Sequence, residues 1–453
     1  MSVDTVSLTG WGRTAPTTAL RFRPRSYEEA AATVLGCGPR GSIARGLGRA
    51  HGDAAQNAGG SVLDMTALNR IRTIDAGAGV VVCDAGVSLH RLVEVLLPLG
   101  WFVPVAPGSR YITVGGAIGS DVHGRDHRTA GSFSRYVTQF ELLTADGEVR
   151  TVLPGTPLFD ATTGGMGLTG VILSATLRLC PVATSLMSVD TERATGLDDL
   201  MARMTTGGRR HRYESAWIDL TARGRATGRA VLTRGEHAPL HALPAHARRT
   251  PFDFVTDRLP AARFPVPDLV PAGLLGRMSA AALNEIRYRR APRSRTGELQ
   301  RIPAFFHPLD AVPHWNRLHG RSGFVHYEFV VGQGQEETLR RIVGRIARRR
   351  CPSFLATLKR FGESGPGWLS FPEPGWSLAL DLPADLPGLA RFLDGLDEEV
   401  AAAGGRVSLT NDSRLRPGAL ATMYPRLAEF RALRAELDPN GAFRSDLSRR
   451  LSL

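Results

Sequence analysis

Apolar and polar residues follow regular spacings over most of the first hundred positions. Strands are predicted where short apolar runs occur, at residues 42–44, 61–65 and 79–84. Leucine and valine recur at helical spacing over residues 88–97. Ser26 followed by Glu29 is a helix-capping pair, and it predicts a helix that ends near Gly36 or Gly38. The pattern therefore indicates an α+β unit in the N-terminal part.

The pattern changes from about Ser188 onward. Strand-like runs with one polar face occur at residues 214–219, 323–331 and 376–382. Helical spacing follows two of them, over residues 336–349 and 386–403. These elements predict one antiparallel sheet with flanking helices. In the tail, residues 423–438 predict an amphipathic helix that is ended by Asp438-Pro439.

A long stretch inside this second region has little periodicity. Residues 235–303 are rich in proline and arginine, and only residues 274–290 have helical spacing. Such a stretch is typical of a flexible insertion that serves as a lid or a docking surface.

Three glycine-rich stretches mark the first region, at residues 45–53, 107–124 and 164–170. Between the last two, residues 137–153 predict a hairpin with Asp146-Gly147 at its turn. Glycine lets backbone N–H groups approach a phosphate closely. The spacing in the first stretch, residues 45–53, matches neither the Rossmann G-x-G-x-x-G motif nor a P-loop. Three such turns in one α+β region predict loops that converge on one extended cofactor.

Composition limits the other classes of protein. A chain of 453 residues with 43% hydrophobic and 22% charged residues is long enough for two or three globular domains. No signal peptide and no run of about 18 apolar residues is visible, so we expect a cytoplasmic protein with at most peripheral membrane contact. Its four scattered cysteines form no C-x-x-C motif, and neither a disulfide framework nor a metal site is expected.

The formal net charge of +13 raises the possibility of a basic module that binds nucleic acid or a membrane surface. However, the positive charge is spread along the chain, and all but one of the 56 basic residues are arginine. The exception is Lys359. This module stays a distant alternative, and we expect no nucleic-acid partner.

Several segments together carry a resemblance to a known family. These are the three glycine-rich stretches and residues 8–16, 306–310, 370–376, 438–443 and 445–451. They resemble FAD-dependent oxidoreductases of the vanillyl-alcohol oxidase type, and among these the decaprenylphosphoryl-β-D-ribose 2′-oxidases of cell-wall arabinan synthesis. The resemblance implies an α+β, two-domain flavoprotein. Residues 1–187 and 405–453 would form the FAD-binding domain, and residues 188–404 the substrate domain.

The same resemblance implies which residues bind FAD. Those expected at the pyrophosphate are Arg45, Gly46, Leu47, Gly48, Arg49, Ala50, His51, Gly52 and Asn57. Those expected along the isoalloxazine and ribityl chain are Pro107, Gly108, Thr113, Gly115, Gly116, Ser120, His123 and Gly124, and those near the adenine are Gly167 and Val171.

The chain departs from the cell-wall oxidases at several pocket positions. Asn411 stands where those enzymes have a flavin-contacting lysine, and His326 and Glu328 replace two glutamines. Phe306, before His307, replaces a tyrosine, and Ala379 replaces the cysteine that benzothiazinone inhibitors attack; Trp217 and Lys359 match the family. These departures indicate a related reaction on a different sugar.

Alcohol oxidation by a flavin needs a base for the hydroxyl proton and a hydride acceptor at flavin N5. His326 and Glu328 lie two apart on a strand and so face one way, and either is a candidate base. The alternative is that both only bind sugar hydroxyls. Lys359 is expected to stabilise the reduced flavin, to pair with Glu328 or to anchor the substrate. Asn411 can hydrogen-bond flavin or substrate without supplying charge.

His51 raises a separate question. In alditol oxidases, which the resemblance includes, a histidine at this place in the loop carries FAD covalently, whereas the cell-wall oxidases have tyrosine and bind FAD noncovalently. Two alternatives stay open: covalent histidyl-FAD, or a histidine that stacks or hydrogen-bonds.

The resulting expectation is FAD-dependent oxidation of a secondary alcohol on a furanose, nucleoside or polyol. It would be the oxidative half of an epimerisation in specialised metabolism, with a separate NAD(P)H-dependent reductase as partner. The alternative within the enzyme class is decaprenylphosphoryl-β-D-ribose 2′-oxidase itself, with a prenyl-phosphosugar substrate and an association with the membrane surface.

Overall fold

The computed structural model describes residues 2–207, 211–253, 266, 267 and 276–453. Its strands are β1 Ser2–Leu8, β2 Thr17–Arg23, β3 Ser42–Arg45, β4 Ser61–Asp64, β5 Ile71–Asp75, β6 Val80–Asp84, β7 Trp101–Phe102, β8 Val137–Leu143, β9 Val149–Val152, β10 Val171–Arg178, β11 Cys180–Pro181, β12 Leu186–Ala194, β13 Tyr213–Ile218, β14 Ala230–His237, β15 Ser294–Arg301, β16 Phe324–Gly332, β17 Ala356–Phe361, β18 Gly375–Pro383 and β19 Arg406–Val407. Its helices are α1 Tyr27–Leu35, α2 Leu89–Leu96, α3 Val114–Gly119, α4 His127–Ala130, α5 Pro157–Thr162, α6 Leu197–Thr206, α7 Arg277–Arg290, α8 Ile302–Phe306, α9 Glu336–Arg349, α10 Leu389–Ala402, α11 Pro417–Met423, α12 Leu427–Leu437 and α13 Asp446–Leu451.

Two larger sheets and the two-stranded pair β7-β11 build the N-terminal part. The first has the order β1-β2-β4-β3, in which β4 runs parallel to both neighbours, and the second is antiparallel with the order β5-β6-β10-β8-β9. The tail returns to the first sheet, because the Ser42 N–H donates to the Ala442 carbonyl and the Arg444 N–H donates to the Ser42 carbonyl. Residues at both ends of the chain therefore share one layer.

An antiparallel sheet of eight strands forms the second part, with the order β15-β12-β14-β13-β17-β18-β16-β19. Alternate residues of β16 and β18 point to opposite faces. One face is apolar: Tyr327, Phe329 and Leu380 are buried in the same core cluster as Leu339 and Ile342 of α9. The other face carries the polar and titratable residues of the site. The α+β fold and the antiparallel sheet predicted from the sequence are confirmed.

Several element boundaries differ from the predictions. The tail helix predicted over residues 423–438 is shorter, because α12 begins only at Leu427. The preceding helix, α11, ends at Met423, since Pro425 disfavours helical backbone at Tyr424. The helix predicted over residues 274–290 starts at Arg277, and positions 274 and 275 lie outside the described residues.

The stretch 235–303 also differs from its prediction in part. Its last residues form β15, an edge strand that pairs with β12. Most side chains of β15 are polar and exposed, so the strand has no apolar face for the sequence pattern to show. Residues 254–265 and 268–275 of this predicted insertion lie outside the described residues.

Candidate active site

The three glycine-rich stretches surround one cleft, which we call the glycine cleft. It is lined by Ala44, Arg45, Gly46, Leu47, Gly48, Arg49, Ala50, Ala54, Ala55, Met65, Ala85, Ile112, Thr113, Gly115, Gly116, Gly119, Ser120, Val122, Met166, Gly167, Gly170, Ile172 and Thr410. The first loop leaves the end of β3, and the second forms α3, whose N-cap is Thr113. Each of these two loops is thus held in place by an adjacent strand or helix.

Small residues let these loops approach one another closely. A Cβ atom on Gly46 would lie 2.2 Å from Thr113 Oγ1, and one on Gly115 would lie 2.9 Å from the Cβ of Ala85. Gly48 has φ of +66°, a left-handed backbone conformation that L side chains rarely adopt. The cleft therefore has walls of backbone, which suits a long ligand that is bound by N–H groups.

Two arginines give this cleft positive charge. The Arg45 guanidinium donates to the carbonyls of Thr9 and Ala55, and the Arg49 guanidinium lies 3.8 Å from the Trp11 ring centroid. Among the described residues, neither arginine forms an ion pair with a carboxylate. Burial lowers the pKa of both side chains. A pyrophosphate would neutralise this charge, so the residues present fit FAD.

The expected cofactor residues separate into two groups. Those that line the glycine cleft are Arg45, Gly46, Leu47, Gly48, Arg49, Ala50, Thr113, Gly115, Gly116, Ser120 and Gly167. Those outside its lining are His51, Gly52, Asn57, Pro107, Gly108, His123, Gly124, Val171 and Asn411.

Asn57 shows why one expected contact is not made. Its amide donates to the carbonyls of Gly41 and Ser61 at 2.9 and 3.2 Å, and its oxygen accepts from Arg449. These hydrogen bonds occupy the Asn57 side chain, which therefore supports the structure around the first glycine-rich loop and does not line the cleft. Val171 is fully buried, and its neighbours Gly170 and Ile172 line the cleft instead.

The polar face of the eight-stranded sheet borders this cleft, because Thr410 lines the cleft and Asn411 hydrogen-bonds to Glu328 on the sheet. We call this surface the histidine face; it carries His326, Glu328, Thr357, Lys359, Ser377, Ala379 and Asp381. Two cross-strand rows order it. Asp381 pairs in register with His326, and the next row runs from Glu328 through Ala379 and Thr357 to Trp217.

His326 and Asp381 form a dyad at one end of the histidine face. His326 Nδ1 lies 2.5 Å from Asp381 Oδ1. Burial alone would lower the pKa of His326, but the Asp381 carboxylate outweighs burial and raises that pKa. His326 Nε2 has no partner among the described residues and is not among the fully buried atoms. This ring nitrogen is therefore open to a ligand.

Glu328 is the centre of a hydrogen-bonded cluster. Its Oε1 lies 3.0 Å from His123 Nε2, 3.3 Å from Lys359 Nζ and 3.4 Å from Ser377 Oγ. Its Oε2 accepts from Asn411 Nδ2 at 2.7 Å. Burial would raise the pKa of Glu328, but Lys359 and His123 outweigh burial and hold it well below its usual range. Both carboxylate oxygens are thus ionised and engaged.

His51 joins the first glycine-rich loop to this cluster. Its Nδ1 lies 2.7 Å from Asn411 Oδ1, and its ring stacks on His326 with centroids 4.2 Å apart and planes within 13°. Burial, followed by the nearby His326, lowers the pKa of His51 to about 3. The imidazole is therefore neutral. The structure brings together all four expected catalytic residues: His326, Glu328, Lys359 and Asn411.

The expected substrate-pocket residues lie in two places. Trp217 and Ala379 belong to the row that starts at Glu328. Phe306 instead packs in an aromatic cluster, with its ring centroid 4.8 Å from that of Tyr213. His307 is buried, and burial lowers its pKa to about 3.

Sequence reasoning missed Asp381 and a pair of arginines. The signal available in the sequence was an acidic residue, Asp381, inside the apolar run of β18. In the structure this side chain is fully buried. The Arg287 guanidinium lies 4.7 Å from the Trp217 ring centroid, and Arg125 lies 4.9 Å from that of Phe305. Nothing in the surrounding sequence distinguishes these two arginines from the many others.

The described residues contain no group of three or more histidine, cysteine or acidic side chains arranged to hold a metal ion. None of their helices is long and apolar enough to cross a membrane.

Comparisons with known proteins bear on this site. Residues 18–153 match the model of an FAD binding domain. Decaprenylphosphoryl-β-D-ribose oxidase of Mycolicibacterium smegmatis is 43% identical over 99% of this chain and 98% of its own length. An uncharacterised protein of Streptomyces coelicolor is 54% identical over 81% of this chain and its full length. Alditol oxidase of a Streptomyces species is 24% identical over 98% of this chain and 99% of its own length.

The fold also matches a solved structure. Physcomitrella patens BBE-like 1 superposes with a TM-score of 0.68 at 14% identity, covering 98% of this chain and 96% of the other. This likeness concerns the fold alone.

Proposed function

We propose a reaction for this chain, which belongs to the decaprenylphosphoryl-β-D-ribose oxidase family of FAD-dependent oxidases. The reaction is oxidation of a secondary alcohol on a sugar-like substrate. FAD is the cofactor, and bound FAD supplies the hydride acceptor. The observation that carries the proposal is the His326–Asp381 dyad, whose free ring nitrogen opens beside the glycine cleft.

His326, rather than Glu328, is the base in this proposal. A base must accept a proton, and His326 Nε2 is neutral and free above its pKa. Glu328 is a poor base because its pKa is held well below the usual range and both oxygens already accept hydrogen bonds. Asp381 holds the proton on Nδ1, so that Nε2 takes the hydroxyl proton of the substrate.

Glu328, Lys359 and Asn411 position the other parts of the site. Lys359 lies 3.3 Å from Glu328, which supports the pairing alternative for this lysine. Asn411 connects Glu328 to His51 and thereby joins the sheet to the first glycine-rich loop. We propose the corresponding division of the chain: residues 1–187 and 405–453 bind FAD, and residues 188–404 bind the substrate.

For His51 we propose noncovalent FAD. The imidazole both stacks on His326 and hydrogen-bonds to Asn411, which were the contacts expected of a histidine that carries no flavin. Acid precipitation and mass spectrometry of the denatured protein test this. All flavin is expected in the supernatant, with the protein at its unmodified mass; a protein mass increased by one FAD would contradict the proposal.

One observation favours a second candidate, oxidation of a phosphosugar. Arg125 and Arg287 have no carboxylate partner among the described residues, and burial lowers the pKa of both to about 10. Arg287 lies over Trp217, at the far end of the row from Glu328. A phosphate bound there would leave the sugar beside His326. A prenyl phosphate would also bring the protein to a membrane surface, and a separate NAD(P)H-dependent reductase would complete an epimerisation.

Anaerobic bleaching of the flavin absorbance tests both candidates. The panel contains decaprenylphosphoryl ribose, ribose 5-phosphate, adenosine and xylitol. Bleaching by any of them establishes alcohol oxidation, and a preference for phosphorylated compounds that disappears in Arg125→Gln supports the phosphosugar. Protein that is loaded with FAD and bleached by none of these compounds would contradict the proposed reaction on sugars.

A further inference from the structure

Two stacked imidazoles form the most unusual feature of the site. The rings of His51 and His326 lie nearly parallel, with centroids 4.2 Å apart. His51 comes from the first glycine-rich loop and His326 from β16, so two separate parts of the fold place them together. The proposed reaction uses only His326, and it leaves His51 without a role in chemistry.

The neighbours of each ring fix its tautomer. Asp381 Oδ1 can only accept a hydrogen bond when ionised, so His326 Nδ1 carries the proton in that contact. The lone pair of His326 therefore lies on Nε2.

The tautomer of His51 follows from a chain of three residues. The Glu328 carboxylate accepts hydrogen bonds only, so it requires the NH₂ group of Asn411, which lies 2.7 Å from Glu328 Oε2. This orientation turns Asn411 Oδ1 toward His51 Nδ1 at 2.7 Å, and an amide oxygen accepts as well. His51 Nδ1 must then donate. The lone pair of this neutral ring lies on Nε2, which has no partner among the described residues and is not fully buried.

The stack therefore offers two imidazole acceptors side by side. Because the rings are nearly parallel with centroids 4.2 Å apart, the two open nitrogens belong to adjacent rings, and one ligand with two neighbouring hydroxyl groups can donate an ordinary hydrogen bond to each. A substrate with a single alcohol would satisfy one nitrogen and leave the other desolvated without a donor. Leaving a buried acceptor unpaired is costly.

We propose that His51 accepts a hydrogen bond from a second substrate hydroxyl, on the carbon next to the one that is oxidised. The substrate is then a vicinal diol, and His51 determines specificity while His326 takes the proton. This inference rests on the proposed alcohol oxidation and names the class of substrate for that same site.

Deoxy analogues test the inference. Flavin reduction is measured with adenosine and with methyl β-D-ribofuranoside 5-phosphate, each beside its analogues that lack one ring hydroxyl. In the wild type, removing the hydroxyl next to the reacting carbon is expected to lower kcat/KM ~30-fold, the cost of one unpaired buried acceptor. In His51→Phe, which keeps an aromatic ring in the stack, parent and analogue are expected to react at nearly equal rates. His51→Gln retains a carbonyl acceptor and is expected to recover part of the discrimination.

Each outcome has one meaning. A wild type that oxidises the parent but does not discriminate overturns the inference and leaves the proposed function standing. A ~30-fold discrimination that persists in His51→Phe also overturns it. A wild type with bound FAD that reacts with no sugar contradicts the proposed function itself.

The tautomer provides a second measurement that does not need turnover. In the FAD-loaded protein labelled with ¹⁵N-histidine, the resonances of His51 are identified by their loss in His51→Phe. Protonated Nδ1 and unprotonated Nε2 are expected, and a proton on Nε2 would overturn the inference. FAD content and melting temperature of both variants are compared with the wild type to confirm that they fold.

Discussion

The glycine cleft and the histidine face adjoin each other, yet they are built by different means. The cleft has walls of backbone and small side chains, and its charge comes from Arg45 and Arg49, which have no carboxylate partner in the part of the chain that the structure describes. The face consists of side chains that contact one another, with Glu328 alone making hydrogen bonds to four residues. The cleft is thus unsatisfied without a ligand, whereas the face is largely satisfied by itself.

From this difference we infer a separate role for each region: cofactor binding in the glycine cleft and proton transfer on the histidine face. A long cofactor requires close approach over many atoms, and glycine provides it. Proton transfer requires one group with a tuned pKa, which a network of fixed partners provides. Substitutions on the face should therefore change rates, and substitutions in the cleft should change cofactor affinity.

The largest effect is expected from His326→Gln, which removes the proposed base. The rate of flavin reduction should fall ~10³-fold, within the range that general bases contribute. Stopped-flow absorbance measures it, and FAD content should be unchanged because His326 does not line the cleft. A rate within tenfold of the wild type would move the role of base to another residue.

Lys359→Met tests whether the ion pair between Lys359 and Glu328 stabilises the histidine face. Removal of one partner of a buried ion pair leaves Glu328 under-compensated, and the free energy of unfolding should fall by about 3 kcal/mol. Urea denaturation of the FAD-loaded protein measures this. Glu363→Gln is the matched control, because its pair with Arg135 is 85% exposed on the acidic side and contributes little. Equal losses in the two variants would contradict the distinction.

The pH profile of Asp381→Asn distinguishes a role of Asp381 in positioning His326 from a purely structural role. Asp381 raises the pKa of His326, and the base works only when neutral, so wild-type kcat/KM falls as the pH drops below that raised pKa. In Asp381→Asn the pKa is lower, so the acid limb should move to lower pH, while the plateau falls ~30-fold because the tautomer is no longer fixed. A lower plateau with an unmoved acid limb would indicate a structural role only.

The smallest effect is expected in the cleft. In Gly46→Ala the new Cβ would lie 2.2 Å from Thr113 Oγ1, so the loop must shift, and FAD affinity should fall about tenfold. Gly38→Ala is the control, because no atom lies within 4 Å of its added Cβ and it lies outside the cleft lining. Quenching of flavin fluorescence during titration of the apoprotein measures both. A tenfold loss in Gly38→Ala as well would remove the link between close approach and affinity.

The sequence predicted the two regions to different extents, for a physical reason. The glycine cleft depends on local backbone, and glycine-rich stretches are visible without knowledge of the fold. The histidine face depends on strand register. His326 and Glu328 were predicted from the family resemblance, and their spacing of two residues on one strand indicated that they face the same way, whereas Asp381 comes opposite His326 only after β16 pairs with β18.

Two strands, β2 and β17, show too little alternation of apolar and polar residues to be predicted from the sequence. Strand β2 has mostly intermediate or exposed residues on both faces, so its run of threonine, leucine and arginine shows no apolar alternation. Strand β17, which carries Lys359, was not predicted either. Its importance comes from the strands on both sides, β13 and β18, which place Lys359 beside Glu328.

Asn411 has a consequence for the synthesis of the protein. This residue joins His51 to Glu328, and the chain beyond it returns to pair with β3. A nascent chain that has emerged only as far as the sheet therefore contains both histidines of the stack but lacks the amide that fixes one of them. We expect that the chain must have left the ribosome at least as far as Asn411 and the segment that pairs with β3 before the site can assemble, and that termination before Asn411 yields no active flavoprotein.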